Sequence, residues 1–442
     1  MENLFSQEFN MKQFLKFVWP AVVSMIFVSL YTIVDGVFVS VLVGSDALAS
    51  INIVMPIFNV IIGVGIMMAT GGNAIVAISL GEGDKEKASK QFSFIMLVSF
   101  ILGLVIMFIG LIYINDIVKF LGGVGVLKDF SIIYGRTLII GAPVFILKFA
   151  IEYYIRTDGS AGFSLFVSVL GGIINMVFDY VFIAILGLGI AGAAYATLLG
   201  ALISLLFGLW YFVRGKSNIR LMKKFEFDFK LIKETMINGS SEMVTELSGG
   251  ITTFIFNMIA LKYAGPNGVA ALSIILYAHF LMISTYLGFT AGVSPLLSYN
   301  FGAKNKAKIK ETIKYSKKFI VVSSVIVFVT CFTGARYIVS IFVEQSNPTF
   351  DIAFIGLKLF SFGFLFIGMN IFASGAFTAF YNGKVSAIIS LSRAFIFVLI
   401  GTAIFPTLFE LNGLWMIVPF AEFCTIAVSY FYIKKYKGKY GY

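Results

Sequence analysis

The 442-residue chain is poor in charge, cysteine and histidine, and each shortage excludes a class of protein. Only 12% of its residues are charged, about half the share found in soluble globular domains, which excludes a water-facing surface over a chain of this size. Its two cysteines, Cys331 and Cys424, lie in apolar runs, so we expect no disulfide framework. His279 is the only histidine, which excludes a histidine-rich metal site, and we expect no cofactor.

Long apolar runs fill the chain from end to end. Hydrophobic residues make up 59% of the sequence and the mean hydropathy is +0.96. About 20 apolar helical residues span a bilayer core roughly 30 Å thick. We therefore predict an all-α polytopic membrane protein with about twelve transmembrane helices. The predicted spans are 14–42, 47–80, 91–114, 130–155, 162–187, 190–213, 236–262, 268–300, 316–343, 350–381, 385–406 and 412–433.

Basic residues collect in alternate connections between these spans. By the positive-inside rule, the basic connections face the cytoplasm, which predicts a plasma-membrane protein with both termini cytoplasmic. The net charge of +11 then mostly reflects the orientation of the chain in the membrane. We therefore expect contact with anionic membrane lipid and none with nucleic acid. The basic connections contain Lys85, Lys87 and Lys90; Arg214, Lys216, Arg220, Lys223, Lys224 and Lys230; Lys304, Lys306, Lys308, Lys310, Lys314, Lys317 and Lys318; and Lys434, Lys435, Lys437 and Lys439.

The second half of the chain repeats the first at an offset near 220 residues. The stretch 79–88 resembles 298–307 with Ser79 on Ser298, and Gly44 and Gly192 resemble Gly265 and Gly413. Six spans separate the copies, so the two halves have the same orientation in the membrane and form two pseudo-symmetric six-helix bundles. In such an architecture the substrate binds between the bundles, and rocking of one bundle against the other exposes it to each side of the membrane in turn. We expect such a pseudo-dimer to be a monomer. The predicted parts are an N-terminal segment 1–13, an N-lobe 14–214, a linker 215–233, a C-lobe 234–434 and a tail 435–442.

Three glycine pairs lie inside predicted spans, at positions 71–72, 171–172 and 249–250. Small residues let transmembrane helices approach closely. We expect these positions to be close helix contacts or hinges.

Polar residues inside the N-lobe spans point to an ion site. An ionisable side chain within a span is costly and indicates function. Asp35 lies in the first span, Asn175 and Asp179 share one face of the fifth, and Thr197 lies in the sixth. Their oxygens suit a small cation such as Na⁺, and two carboxylates together in a low dielectric also hold a proton. Both interpretations fit ion coupling; the alternative is that these residues only hydrogen-bond neighbouring helices.

The C-lobe has a different pair of acids. Glu242 and Glu246 are four residues apart on one helix face, where they can bind a cationic substrate, form a second ion site, or reach water near the cytoplasmic start of the span. Lys148 and Glu152 are also four apart, in the fourth span, and we expect them to neutralise each other. Arg393 in the eleventh span is expected to bond carbonyls or a carboxylate between helices.

Several short motifs together resemble the multidrug and toxic compound extrusion (MATE) family over nearly the whole chain. The single residues and pairs are Pro20, Gly44, and Asn175 with Asp179. The longer motifs are residues 31–39, which include Asp35, and residues 47–49, 71–72, 80–82 and 189–197. The resemblance implies two six-helix bundles in a V shape and export driven by protons or sodium.

The resemblance also implies roles for individual residues. In related members the positions matching Asp35, Asn175, Asp179 and Thr197 form the N-lobe cation site. Some members pair a seventh-helix acid, near Glu242 or Glu246, with a tenth-helix acid. The corresponding stretch 368–374 has Asn370 and no acid, which favours coupling through the N-lobe.

We therefore predict a secondary active transporter and not an enzyme: an H⁺- or Na⁺-coupled antiporter that exports small organic, often cationic, xenobiotic molecules. One alternative is a flippase for lipid-linked or polyprenyl-phosphate substrates, which needs a cavity rich in Arg and Lys. A membrane-embedded enzyme is the second alternative, and it needs a nucleophile–base or metal constellation that the sequence does not offer.

Overall fold

The structure is a computed structural model that describes residues 10–215, 217–222 and 227–442, and every regular element in these ranges is helical. Most of the predicted N-terminal segment lies outside them. Lys216, Lys223 and Lys224 of the basic central stretch also lie outside the described residues.

The N-terminal half contains seven helical elements in the described residues. They are α1 (Met11–Leu42), α2 (Ser45–Gly81), α3 (Lys85–Phe120), α4 (Gly125–Ile140), α5 (Ala142–Thr157), α6 (Ala161–Asp179) and α7 (Gly189–Val213). The α4 and α5 helices are bent by 51° and form one broken span. A π-helical turn, Tyr180–Ile185, follows α6 directly.

The C-terminal half is built in the same way, and its first helix begins at Phe229, within the stretch predicted as linker. Its elements are α8 (Phe229–Gly302), α9 (Lys306–Thr333), α10 (Ala335–Ser340), α11 (Pro348–Ser361), α12 (Phe364–Ala379), α13 (Gly383–Leu391), the π-helical turn Ser392–Ile396 and α14 (Phe397–Tyr440). Non-helical torsions divide α8 at Gly265 and α14 at Glu410. The α11 and α12 helices are bent by 50° and form a second broken span.

The number of apolar segments in the described residues agrees with the predicted spans. Eight helices are long and apolar enough to cross a membrane, and the two broken spans raise the number to ten. Because two of those helices are divided at Gly265 and Glu410, the described chain has twelve apolar segments. The prediction of an all-α polytopic membrane protein is confirmed.

Matching turns fix the register between the two halves. Asp84 caps α3 by accepting a hydrogen bond from the Lys87 amide, and Asn305 caps α9 through the Lys308 amide. Just before each cap, Gly83 and Lys304 both have a positive φ, of 87° and 56°. These caps are 221 residues apart, so the predicted alignment of Ser79 with Ser298 is wrong by two residues, although the offset near 220 is right.

Buried apolar side chains form two large clusters, one in each half. The first lies among α2 to α7, and the second lies among α8 to α14. Phe14, Val18 and Val22 of α1 belong to the second cluster. The start of α1 therefore packs into the C-terminal bundle, whereas its later residues pack against the N-terminal bundle.

Glycines let the two bundles meet backbone to backbone at one end. A Cβ atom on Gly71 of α2 would overlap the Thr235 carbonyl oxygen of α8, and one on Gly239 would overlap the Met67 carbonyl oxygen. At the ends of α2 and α8, a Cβ atom on Gly81 or on Gly302 would likewise overlap a backbone carbonyl oxygen of the facing helix. Both contacts lie towards the basic loops after Gly81 and Gly302, so the bundles are closed on that side.

Helix α1 also packs closely against α8, as far as the middle of the span. Gly292 and Gly288 of α8 lie against Val18 and Ala21 of α1. Further along, the Ser29 hydroxyl donates to the Ser284 hydroxyl at 2.6 Å. These contacts anchor the first half of α1 to the C-terminal bundle, whereas its second half packs against the N-terminal bundle.

The described part of the linker is held against the N-terminal bundle. The Asp158 carboxylate accepts hydrogen bonds from the Asn218 and Ile219 amides, at 2.8 and 3.2 Å, and from the Tyr211 hydroxyl at 2.5 Å. Burial raises the pKa of Asp158, and these hydrogen bonds oppose that rise. The chain leaving α7 therefore moves with the N-terminal bundle.

Candidate cation site

A pair of carboxyl groups lies inside the N-terminal bundle, where α1 and α6 meet. Asp35 of α1 is half-buried, and Asp179 is fully buried at the last residue of α6. The two carboxyl groups are close enough to share a hydrogen bond. Both Asp179 oxygens and Oδ1 of Asp35 have no hydrogen-bond partner among the described residues. Buried polar atoms are rarely left in this state, so these three oxygens are candidate ligands for a proton or a small cation.

The Asn175 and Thr197 side chains lie on the same side of the bundle. Asn175 is one helical turn before Asp179, and its Nδ2 donates to Oγ1 of Thr197 at 3.4 Å. The Asn175 Oδ1 is buried without a partner among the described residues. The two helices come close because Gly171 of α6 and Gly200 of α7 face each other without side chains. The fold thus brings all four predicted N-lobe residues together.

Backbone geometry next to Asp179 departs from the regular helix. The π-helical turn Tyr180–Ile185 begins at the residue after this carboxylate. Such turns are rare and often occur at functional sites. The corresponding helix of the C-terminal bundle contains the second π-helical turn, Ser392–Ile396, which carries Arg393.

Tyr134 of α4 is a site residue that the sequence does not reveal. Its side chain is buried, its hydroxyl group hydrogen-bonds Thr197, and it lies within electrostatic range of Asp35 and Asp179. In a chain with 20 tyrosines, no local pattern distinguishes Tyr134 from the tyrosines that only pack. It lies on α4, the first half of the broken span.

Replacement of Tyr134 by phenylalanine is expected to weaken transport without abolishing it. The variant removes one hydroxyl from the surroundings of the pair and keeps the ring in place. A lost hydrogen bond costs about 1 kcal/mol, so we expect a severalfold fall in the initial rate of dye efflux. Unchanged efflux would place the hydroxyl outside the site.

Three charged side chains lie one helical turn apart along α5, inside the N-terminal bundle. The Lys148 Nζ lies 3.2 Å from Oε1 of Glu152, as expected from the sequence, and Arg156 Nη2 lies 3.9 Å from Oε2 of Glu152. Their side chains are only 8%, 4% and 1% exposed. Arg156 also donates from Nε to the Ser164 hydroxyl at 2.9 Å. The three charges sum to +1 within the bundle.

The acids Glu242 and Glu246 lie apart from the N-lobe pair, on the part of α8 that faces α2. Both are half-buried. A Cβ atom on Gly63 of α2 would lie 3.6 Å from Cβ of Glu246, which places this acid beside the interface between the bundles. The two acids are therefore positioned at the boundary where a substrate between the lobes would lie.

Arg393 and Glu422 form a buried ion pair in the C-terminal bundle. Their nearest atoms, Nη1 and Oε1, are 3.3 Å apart. Asn370 donates to Oε2 of Glu422 at 2.8 Å, and Ser429 donates to Oδ1 of Asn370 at 2.9 Å. The expected carboxylate partner of Arg393 is thus Glu422, and the pair is neutral.

Comparison with known proteins gives one family over most of the chain. The family model MatE matches twice, at residues 20–181 and 243–404, so one copy falls in each half. The chain is 26% identical over 411 residues to "Multidrug export protein MepA" of Staphylococcus saprophyticus, covering 91% of the chain and 88% of that protein. It is 27% identical over 417 residues to the protein of the same name in Staphylococcus haemolyticus, covering 93% and 89%.

Solved structures of the same fold cover the chain almost completely. A structure of MATE in complex with MaL6 superposes with a TM-score of 0.93 at 24% identity, covering 99% of the chain and 98% of that protein. An outward-facing multidrug resistance MATE family transporter gives 0.92 at 24% identity, covering 100% and 98%. A transporter of the MOP superfamily from Pyrococcus furiosus gives 0.91 at 23% identity, also covering 100% and 98%.

Proposed function

The chain belongs to the MatE family of membrane transporters, and on that premise we propose that it is a cation-coupled antiporter that exports small organic, often cationic, molecules by alternating access. The observation that carries this proposal is the buried pair of Asp35 and Asp179. Three of their four oxygens have no hydrogen-bond partner among the described residues. Leaving such groups unpaired in a membrane is costly, and a coupling H⁺ or Na⁺ would satisfy them.

Closure of the bundles on one side supports assigning this arrangement of the lobes to the outward-facing state of such a cycle. The bundles are closed on the side of the basic loops, which the positive-inside rule assigns to the cytoplasm. A cation arriving from outside would then reach Asp35, which is half-buried and lies beyond the Ser29–Ser284 hydrogen bond on α1.

Helix α1 is the element that would transmit cation binding to the lobes. Its first half packs in the core of the C-terminal bundle, whereas Asp35 in its second half faces Asp179 of the N-terminal bundle. Loading a cation removes the repulsion between the two carboxylates and draws α1 towards α6. Because one helix bridges both bundles, this local change alters their relative position.

The substrate site is proposed at the interface, beside Glu242 and Glu246. Arg393 and Glu422 neutralise each other, so the two acids on α8 leave an excess of negative charge there. Such a site favours organic cations, and the relatives named as multidrug export proteins support the export of drug-like molecules. Lys148 and Arg156 both lie beside Glu152, and Arg393 lies beside Glu422, so these buried cations do not form the Arg- and Lys-rich cavity that a flippase for phosphate lipids would need.

Efflux of a cationic dye tests the proposed function directly. Cells that express the chain are loaded with ethidium, and the proton and sodium gradients are dissipated separately with ionophores. We expect efflux to stop when one of the two gradients collapses. Efflux that persists without either gradient would contradict ion coupling.

Replacement of Glu246 by glutamine is expected to affect cationic substrates selectively. Loss of one carboxylate removes attraction for a cation and leaves neutral molecules unaffected, so we expect an approximately tenfold higher KM for ethidium and an unchanged KM for an uncharged dye. A matched control is Glu344→Gln, an exposed acid between α10 and α11. An equal rise in KM for both dyes would show that Glu246 supports the structure and does not select the substrate.

A further inference from the structure

An apolar groove runs along the C-terminal bundle between α9, α12 and α14. Its floor is the last part of α12, where Ala373 and Ala376 are small and buried. Its walls include Ile313 of α9 and Ile433 of α14. The two alanines leave room that larger side chains would fill, so the floor lies below the level of the walls.

The groove is about as long as one leaflet of a bilayer is deep. Its lining on α12 extends from Met369 to Phe380, which is roughly 16 Å of helix. The hydrocarbon core of a whole bilayer is roughly 30 Å thick. The carbonyl of Thr378 accepts a hydrogen bond from Asn238, next to Gly239, so this end of α12 lies on the side of the basic loops. The groove therefore has the length and the place to hold one acyl chain of that leaflet.

Tyr442 marks the end of the groove nearest the basic loops. Gly441 has a positive φ of 77°, which turns the chain back after α14. The Tyr442 hydroxyl then donates to the Ile433 carbonyl at 3.2 Å, and its ring stacks on Phe380 with the ring centroids 5.9 Å apart. A tyrosine with an apolar ring and a polar tip is typical of the membrane–water interface. The groove thus runs from the membrane surface into the hydrocarbon.

The excess charge beside the groove is positive. Lys317 of α9 lines it and is exposed. Lys310 and Lys314, which are also exposed, share that face of α9 through their spacing. Glu311 is the only acid of α9, and it lies 2.9 Å from the Lys308 ammonium. No carboxylate of the described residues lines the groove, so its lysine is available to an anion.

The surroundings of the groove favour lipid over a soluble molecule. Val321 of α9, one helical turn beyond Lys317, is 53% exposed, and Val325 and Val329 continue the exposed apolar surface. On a membrane-spanning helix such a surface contacts lipid tails. A lysine stem can lie along this surface while its ammonium reaches a headgroup, whereas the same ammonium repels an organic cation.

We propose that this groove is a binding site for one anionic phospholipid. One acyl chain lies along α12 between α9 and α14, and the headgroup phosphate binds the ammonium of Lys317. The inference does not depend on the proposed antiport, because it concerns a surface on the outside of one bundle. It assigns a defined site to the anionic lipid that the basic loops attract in general.

Lipid binding to the purified full-length protein tests the proposal. The protein is freed of lipid in detergent and titrated with phosphatidylglycerol, or with phosphatidylcholine of the same acyl chains, and bound lipid is counted by native mass spectrometry. One lysine near the membrane surface changes the affinity for an anionic lipid about fivefold. We therefore expect one tightly bound phosphatidylglycerol, and a dissociation constant about fivefold higher in Lys317→Gln. Phosphatidylcholine should bind more weakly and equally to both proteins.

The matched control is Lys318→Gln, the same change at the neighbouring exposed position, which points about 100° away around α9. This variant should keep the wild-type affinity for phosphatidylglycerol. Ala376→Phe fills the floor and should abolish retention of the lipid. Glycerol 3-phosphate, which carries the phosphate without acyl chains, should not displace it.

Four results would overturn the proposal. Equal affinity for the two lipids would show that the site does not recognise charge, and equal weakening by Lys317→Gln and Lys318→Gln would show attraction by the whole basic surface. Displacement by glycerol 3-phosphate would show an anion site without a place for the chain. Dimers that Lys317→Gln or Ala376→Phe dissociates, with no lipid retained, would show that a second copy of the chain occupies the groove. None of these results bears on ion-coupled efflux, which is measured separately.

Discussion

Replacement of Asp35 by asparagine is expected to abolish drug efflux, lowering its rate at least a hundredfold. Asparagine has nearly the same shape as aspartate but can neither carry the charge nor take up the proton that the coupling step requires. Asp179 would remain buried without its partner, and the repulsion that distinguishes the loaded from the empty site would be lost. The measurement is the initial rate of ethidium efflux from cells with matched expression.

The control for this variant is Asp116→Asn, which makes the same chemical change at an exposed position near the end of α3. Efflux in that variant should equal the wild-type rate. Should Asp35→Asn retain a tenth or more of the wild-type rate, the carboxyl group at this position would not be the coupling group.

Replacement of Gly239 by alanine is expected to cause the second-largest loss. A Cβ atom at this position would overlap the Met67 carbonyl oxygen of α2 across the interface between the bundles. Forcing extra atoms into a tight contact costs about 1–3 kcal/mol, equivalent to roughly a fivefold to 150-fold change in an equilibrium. Because this contact closes the side of the basic loops, the variant should destabilise the closed arrangement and slow transport roughly fivefold or more.

Gly249→Ala is the matched control, since it lies on the same helix and a Cβ atom there meets nothing within 4 Å. This variant should transport at the wild-type rate. Labelling of single cysteines placed in the basic loops would report closure directly: reactivity should rise in Gly239→Ala and stay low in Gly249→Ala. Equal labelling of the two variants would contradict the role of the glycine contact.

The sequence predicts most of the candidate cation site because its signals are local. Asn175 and Asp179 share a helix face through their spacing, and Asp35 is conspicuous as a carboxylate in an apolar span. Glycine pairs are a weaker signal: Gly71 does mark a backbone contact, whereas Gly249 lies in open space. Small residues permit a close approach, but the partner helix decides where it occurs.

The features that sequence reasoning misses depend on bends and on distant helices. The span predicted over 130–155 is broken by 51° between α4 and α5, and hydropathy gives no sign of that break. The break accompanies the placement of Tyr134 against Thr197. No sequence pattern predicts the π-helical turns after Asp179 and at Arg393 either, because these turns change the hydrogen bonding of the backbone and not the spacing of apolar residues.

Cation movement triggered by substrate tests the central claim most directly. Proteoliposomes containing the protein carry a fluorescent reporter of internal Na⁺ or pH, and ethidium is added on one side only. The wild type and Asp116→Asn are predicted to move the coupling cation opposite to the dye, and Asp35→Asn is predicted to move none. Equal cation movement in Asp35→Asn and the wild type would show that the ion binds elsewhere and would contradict this account.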